Sequence, residues 1–449
     1  AYAVGEPPAG SAPVARQLTT TSGVKSDLRI APDGRDVYYL DAGRIHVVSI
    51  DRREARALPV AAELDQDFAA DKYTVFAQVW TLIRDHFFDP RFNGVDWDEA
   101  RHRYRPFVQG AATPDELRRV VSLMLGELNA SHLGLSAPAS SATSPAAGRL
   151  GLEFDRLAAE TDGRFAVTSV IPLGPADLTS AIRPGDAIEA VDGAPLGRAS
   201  NLDALLAHTT GKRVTLTVRS AAGPPRAVAL RPVSQAAEKQ LLYRAWVDRN
   251  REYVLKASGG RLGYVHMINM SAEALDQLLV DLDADNHKLD GVVVDVRNNT
   301  GGFVNGFALD VFARQSYLRM ATRAVPEAPA RSILGQRALE LPTILVVNQH
   351  SLSDAEDFVE GYRTLKLGSI VGEPTAGWIV YTWDRRLVDG SLLRLPRMRV
   401  KGADGQDMEM RPRPVQVAVS RPLGEWQEGR DRQLDEAIRV LLKQLGRAE

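Results

Sequence analysis

The amino-acid sequence predicts a multidomain α/β protein, and three observations carry that expectation. Its 449 residues exceed what one hydrophobic core normally organises, so two to four domains are expected. From about residue 260 onward, apolar runs such as GVVVDVR and PTILVVN alternate with helix-period stretches, a βα pattern that builds a largely parallel sheet with helices outside. Two earlier regions, 24–60 and 148–232, instead alternate apolar and polar residues between turn signals, and a helical region separates them.

The first element, VKSDLRIAPDGRDVYYLDAGRIHVVSIDRREARALPV at 24–60, reads as a meander of short antiparallel strands, with turns at Pro-Asp-Gly and Asp-Ala-Gly. Such a unit fits either one blade of a propeller or a small β-subdomain, and residues 1–62 are assigned to it. Residues 63–135 form a helical bundle: YTVFAQVWTLIRDHFF puts Phe76, Val79, Leu82 and Ile83 on one stripe, and Pro114-Asp115-Glu116 opens another helix. The stretch around SAPASSATSPAAG is rich in Ser, Ala and Pro, so 136–147 is a linker. Strands return over 148–234, and 235–449 carries the βα repeats, in which function collects at the carboxyl ends of the strands.

Composition excludes several function classes. The net charge of −2 leaves no electrostatic footprint for nucleic acid or an anionic membrane, and no apolar run of about 18 residues is present to span one. With no cysteine, a thiol nucleophile, a disulfide framework and a thiolate metal site are all ruled out. No HExxH or similar signature occurs, so neither a metal nor any other cofactor is expected. The chain begins AYAVGEPPAGSAP, with neither an initiator Met nor an apolar h-region, which suits a processed or trimmed N-terminus and leaves the compartment open, cytoplasmic or exported.

Two strand ends carry unusual chemistry. GVVVDVRNNTGG closes an apolar run with Asp295, Arg297, Asn298, Asn299 and the pair Gly301-Gly302, where glycine lets backbone N–H groups face a ligand unobstructed. NQHSLSDAED, after PTILVVN, places Ser351, Ser353 and His350 together at the start of a helix. Ser353 with Glu356 three residues on reads as a capping box, yet a helix N-terminus also stabilises negative charge forming beside it, so either serine stands as a nucleophile candidate.

Further resemblances sharpen this. Arg183-Pro184-Gly185-Asp186, followed by Ile188, Val191 and Asp192-Gly193, looks like the turn and strand of PDZ domains in bacterial proteases. The segment Arg149-Leu150-Gly151-Leu152 is then similar to the loop whose amides hold a peptide carboxylate beside an open strand edge. DVRNNTGG, then NQHSLSDAE, then VGEPTAG resembles the S41 serine peptidases, which include C-terminal processing peptidases and tricorn-type peptidases on a ClpP/crotonase-like α/β core. The resemblance runs from about 70 to 445, with LGELNASHLGL, FDPRFNGVDWDEARHRYRP and GRDRQLDEAI in tricorn-type order.

What that resemblance implies is assigned residue by residue. The nucleophile falls on Ser353. Processing peptidases draw the proton to a lysine, but that position here is Trp378, so the tricorn-type base, His132, is implied, with Ser131 orienting it and Glu409 holding Ser131. The spacing around MEMRPRPV is one residue off, so Asp407 also stays open. The oxyanion is implied to rest on the backbone N–H of Gly301 and Asp354. His350 remains the competing base. The expected activity is a serine endopeptidase acting on peptides or unfolded protein; the alternatives are a non-proteolytic binding or PDZ scaffold protein, a Ser/Lys processing peptidase and, on a shared fold, acyl-CoA chemistry. Partners are a peptide or unfolded protein substrate, no nucleic acid, no membrane span, and a homo-oligomer left open.

Overall fold

The computed structural model describes residues 2–4, 15–21, 24–60, 67–138, 146–221, 223–286, 288–315, 317–329 and 339–446. The chain forms two compact units, Ala1–Asp67 and Phe68–Glu449. Residues 139–145 of the expected linker lie outside the described residues; of its flanks, Ser136 already pairs with Leu392 and Ala147 bridges Ala207.

In the first unit, Lys25–Ile30, Asp36–Asp41, Arg44–Ser49 and Ala55–Ala57 form a sequential antiparallel meander. Its turns use Gly34 and Gly43 at positive φ, the conformation that glycine takes without a β-carbon penalty. Val37, Tyr39 and Val48 bury one face with Leu18.

The second unit begins with three helices, Phe68–His86, Trp97–Gly110 and Pro114–Gly126. The predicted stripe is close to the observed one: Val75, Phe76, Val79, Trp80 and Ile83 are buried, whereas Leu82 is partly exposed at the edge. Trp80 and Trp97 lock two helices, each indole N–H donating to the other's carbonyl at 2.9 and 3.0 Å. The third helix starts on a full capping box between Thr113 and Glu116, with Pro114 in its first turn. The helices share their core with Leu387, Leu393 and Leu395 of a hairpin, Tyr381–Arg386 and Leu392–Met398. Strand Gly134–Ser136 adds to that hairpin antiparallel, through Gly134 opposite Arg394. This pairing draws the segment Ser131–His132 to the far end of the chain.

The next region is an antiparallel sheet whose strand Leu152–Phe154 lies at the edge, beside Phe165–Val170. The Arg183-Pro184-Gly185-Asp186 turn is built for structure: Asp186 is buried, accepts from the Arg183 amide at 3.1 Å and pairs with Arg226 at 2.7 Å.

The remainder is a five-stranded, all-parallel sheet in the order Leu262–His266, Gly291–Asp295, Thr343–Val347, Gly368–Gly372, Val417–Ala418. Successive side chains serve opposite faces. Val292, Val294, Leu345 and Val347 join helices Ala272–Asp281, Asn305–Ala313 and Asp354–Thr364 on one side. Val293, Ile344 and Val346 join Gln235–Ala257 and Arg432–Leu445 on the other. Strands buried on both faces therefore read as unbroken apolar runs. The strand Gly291–Asp295 is held at its end by Arg297, fully buried, which bonds Asp295 and also Asp431 and Gln433 at the start of the last helix.

Candidate active site

Both predicted strand ends lie side by side. The Ser351 hydroxyl donates to the Val296 carbonyl at 2.8 Å and accepts from the Asn348 amide at 3.1 Å, so this fully buried serine ties one strand end to the other. His350 is exposed, with its amide on Asn348 Oδ1. Ser353 sits at φ 58° and ψ −127°, an unfavourable backbone for a residue with a side chain. That geometry is held from several directions. Its amide donates to the Trp378 carbonyl at 2.9 Å and to Glu356 Oε1 at 3.2 Å.

Glu356 does more than the capping expected of it. Buried, it also accepts from Thr375 Oγ1 and from the amides of Gly377 and Trp378, at 2.6, 2.7 and 2.7 Å. Three donors of the loop Glu373–Trp378 thereby fasten it to the helix start. The helix Asp354–Thr364 then leaves the Asp354 amide at its first position, where no carbonyl of a preceding turn is available. The Asp354 carboxylate faces away, accepting from the amides of Val304 and Asn305 at 2.7 and 3.0 Å and so capping the helix after the glycine pair.

Gly301, at φ 81°, packs directly on the serine: a β-carbon built there would lie 2.5 Å from Ser353 Cβ. Its amide differs from expectation, because it donates to Asn299 Oδ1 at 2.9 Å within the same turn. The Gly302 carbonyl and amide are not used by the Met270 bridge, which runs through Gly301 O and Phe303 N.

His132, at φ 58°, follows the third helix. Its Nδ1 lies 2.8 Å from Ser131 Oγ, and Ser131 Oγ donates to Glu409 Oε2 at 3.1 Å. A hydroxyl has one proton; with it on the carboxylate, Nδ1–H must be the donor to Ser131, which leaves the Nε2 lone pair free. Glu409 further accepts from the Ser131 amide at 2.7 Å and from Ile379 and Val380 at 2.9 and 3.3 Å. Asp407, the open alternative, does not reach Ser131 and instead faces Arg399 at 3.7 Å. Burial, then the Arg394 guanidinium, pull the His132 imidazole down to about 4, against the opposing pull of Glu409, so it is neutral at ordinary pH.

His132 and Ser353 line one cavity of about 180 Å³ with Gly301, Gly302, Tyr381 and Arg394, although they are not hydrogen-bonded to each other. A larger cavity of about 580 Å³ borders Asp89, Arg399, Asp407 and Glu409 but neither His132 nor Ser353. Tyr381 also reaches Asp357 at 3.0 Å; burial, then the neighbouring Asp354 and Glu356 carboxylates, push the Asp357 carboxyl up to about 7. Sequence reasoning passed over Arg394, Tyr381 and Asp357, and only the hairpin's register with Gly134 would have pointed to the first.

The loop Arg149-Leu150-Gly151-Leu152 stands beside the edge strand. Two of its amides are already engaged: Arg149 donates to the Val233 carbonyl at 2.8 Å, and Gly151 donates to Glu238 Oε1 at 3.2 Å. Arg149 Nε lies 4.0 Å from Glu238 Oε2, while Nη1 bonds Asp203 at 3.0 Å. Glu238, in the helix Gln235–Ala257, was not singled out from sequence.

Among the described residues no cluster of metal-binding side chains is present, and no helix is long and apolar enough to cross a membrane.

Residues 261–414 match the model of peptidase family S41, residues 68–126 that of the tricorn protease C1 domain, and residues 148–235 that of the tricorn protease PDZ domain. The chain is 32% identical over 447 residues to tricorn protease homolog 1 of Streptomyces coelicolor, covering 93% of this chain and 40% of that protein. It is 25% identical over 451 residues to tricorn protease of Thermoplasma acidophilum, covering 96% and 40%. The crystal structure of the tricorn protease superposes with a TM-score of 0.79 at 23% identity, over 94% of this chain and 41% of that one, which shows a shared fold. The chain thus spans about two-fifths of the length of these relatives.

Proposed function

The chain belongs to the tricorn type of peptidase family S41, and from that premise we propose that it is a serine endopeptidase cutting peptides or unfolded protein. The carrying observation is the chain of contacts Glu409–Ser131–His132, which ends in the cavity that Ser353 lines. In this reading Ser353 Oγ bonds the scissile carbonyl carbon while its proton passes to His132 Nε2. The carbonyl electron pair moves to oxygen, where the Asp354 amide is ready to meet it, and the Gly301 amide joins by exchanging Asn299 for the oxyanion. The tetrahedral intermediate collapses, the C–N bond breaks, and His132 hands its proton to the leaving amine. Water then adds to the acyl-enzyme, giving a proton to His132, which returns it to Ser353 Oγ as the acid departs.

His132 becomes an imidazolium midway, and Glu409 acting through Ser131 stabilises that charge. Trp378 in the lysine position leaves the Ser/Lys scheme without a base, and His350 lies in the exposed turn before the helix. The five-stranded parallel core is read as ClpP/crotonase-like, the first meander as one propeller-like blade, and the domains as 1–62, 63–135, 148–234 and 235–449.

The test is direct. Ser353→Ala is expected to abolish hydrolysis of denatured casein and labelling by a serine-directed phosphonate, with the circular dichroism spectrum unchanged; full activity in that variant would overturn the assignment. His132→Ala is expected to be inactive and His350→Ala active, and the reverse pattern would make His350 the base.

A further inference from the structure

The cavity of Ser353 and His132 contains a cation and no acid. Its lining residues are His132, the Thr300–Phe303 turn, Ser353, Val380, Tyr381, Thr382 and Arg394, without a carboxylate among them. Arg394 Nε donates to Thr382 Oγ1 at 3.2 Å, and the guanidinium forms no ion pair among the described residues. A partner was to hand. Asp384 stands directly opposite Arg394 in the hairpin register, a position from which cross-strand charges normally meet. The guanidinium reaches along the diagonal to Thr382 instead, on the side of the cleft. Glu409 is occupied by Ser131, Ile379 and Val380.

This placement is unfavourable for catalysis taken alone. The arginine charge disfavours protonated His132, which is the state the base must reach in each half-reaction. A negative charge arriving with the substrate would remove that handicap, and a guanidinium fork is suited to a carboxylate. Resting on the peptidase reading, we propose that Arg394 is a specificity residue that binds a substrate carboxylate beside the scissile bond, so that the chain cuts next to an acidic side chain or close to a free C-terminus.

Internally quenched peptides in matched pairs test this on the whole chain: Glu against Gln at the residues flanking the cut, and free acid against amide on a short leaving fragment. The wild type is expected to favour one acidic member of these pairs roughly ten- to a hundredfold in kcat/KM, as charge-assisted hydrogen bonds imply. The pair that discriminates identifies the source of the carboxylate. Arg394→Gln is expected to bring that ratio near one, and Arg394→Lys to restore part of it. A wild-type ratio of one in both pairs, or an equal loss on acidic and neutral substrates in Arg394→Gln, overturns the proposal; the latter would make Arg394 a positioning group for the oxyanion or the base. Phosphonate labelling of Ser353 separates the two levels: labelled enzyme without acid preference refutes only Arg394, whereas no labelling and no cleavage refutes the peptidase reading itself.

Discussion

Glu409→Gln isolates what the carboxylate behind Ser131 contributes. The substitution keeps length and shape, yet a carboxylate accepts at both oxygens while an amide accepts at one. Three donors converge on Oε2, namely Ser131 Oγ and the amides of Ile379 and Val380, and one on Oε1, the Ser131 amide. The new amide oxygen therefore stays with the three, and its NH₂ faces the Ser131 N–H, donor against donor. More important for rate, Ser131 loses an anionic acceptor just as His132 becomes charged. A hydrogen bond to a charged group is worth about 1.5–3 kcal/mol, against about 0.5–1.5 kcal/mol for a neutral pair. If that difference of about 1–1.5 kcal/mol appears in the transition state, kcat/KM falls about 5- to 10-fold. Steady-state kinetics on a quenched peptide measures it, with Asp407→Asn as the control, expected within about twofold of wild type because Asp407 does not touch Ser131. Unchanged kinetics in Glu409→Gln, or an equal loss in Asp407→Asn, would refute the relay.

Three other perturbations follow from the same geometry. Gly301→Ala forces a β-carbon to 2.5 Å from Ser353 Cβ at a φ of 81°; activity should drop about a hundredfold or more with the fold retained, and a fully active alanine variant would show that the two strand ends separate freely. Asp357 has a folded-state pKa near 7, raised above its unfolded value, so its contribution is fully present below about pH 4 and is lost as pH rises to 7; Asp357→Asn should raise the melting temperature at pH 8 and bring little gain at pH 4, and an equal gain at both would refute the burial argument. Glu238→Ala removes the carboxylate from the Gly151 amide; calorimetry should find a peptide with a free C-terminus bound about fivefold more tightly, its amidated form unaffected, and no change would mean that Glu238 does not compete for that loop.

Much of the fold was legible because its determinants are local. GVVVDV and PTILVV read as strands since both faces are buried, and Pro114 with Thr113 and Glu116 marked a helix start by capping chemistry alone. Ser353, His132, Ser131 and Glu409 could be nominated because each sits in a short motif whose order along the chain is informative. Residues without a motif escaped. Arg394 looks like any outward-facing strand arginine until Gly134 is known to pair with it, and Glu238 looks like an acid favouring its own helix N-terminus. The Gly301 amide was expected to be free, but Asn299, two residues before it, supplies an acceptor that only the folded turn reveals.

The Arg297 clasp bears on how this protein is made. Its guanidinium is wholly enclosed, and one of its two carboxylate partners, Asp431, lies 134 residues further along the chain. While translation is under way, the strand Gly291–Asp295 and the glycine turn after it exist without that partner, and an arginine buried with an incomplete set of acceptors opposes closure of the sheet. Synthesis must pass Asp431 before the turn beside Ser353 can settle. A nascent chain is thus kept from acquiring a finished cleft, and any truncation ahead of Asp431 should leave a polypeptide that is held open at the same stage.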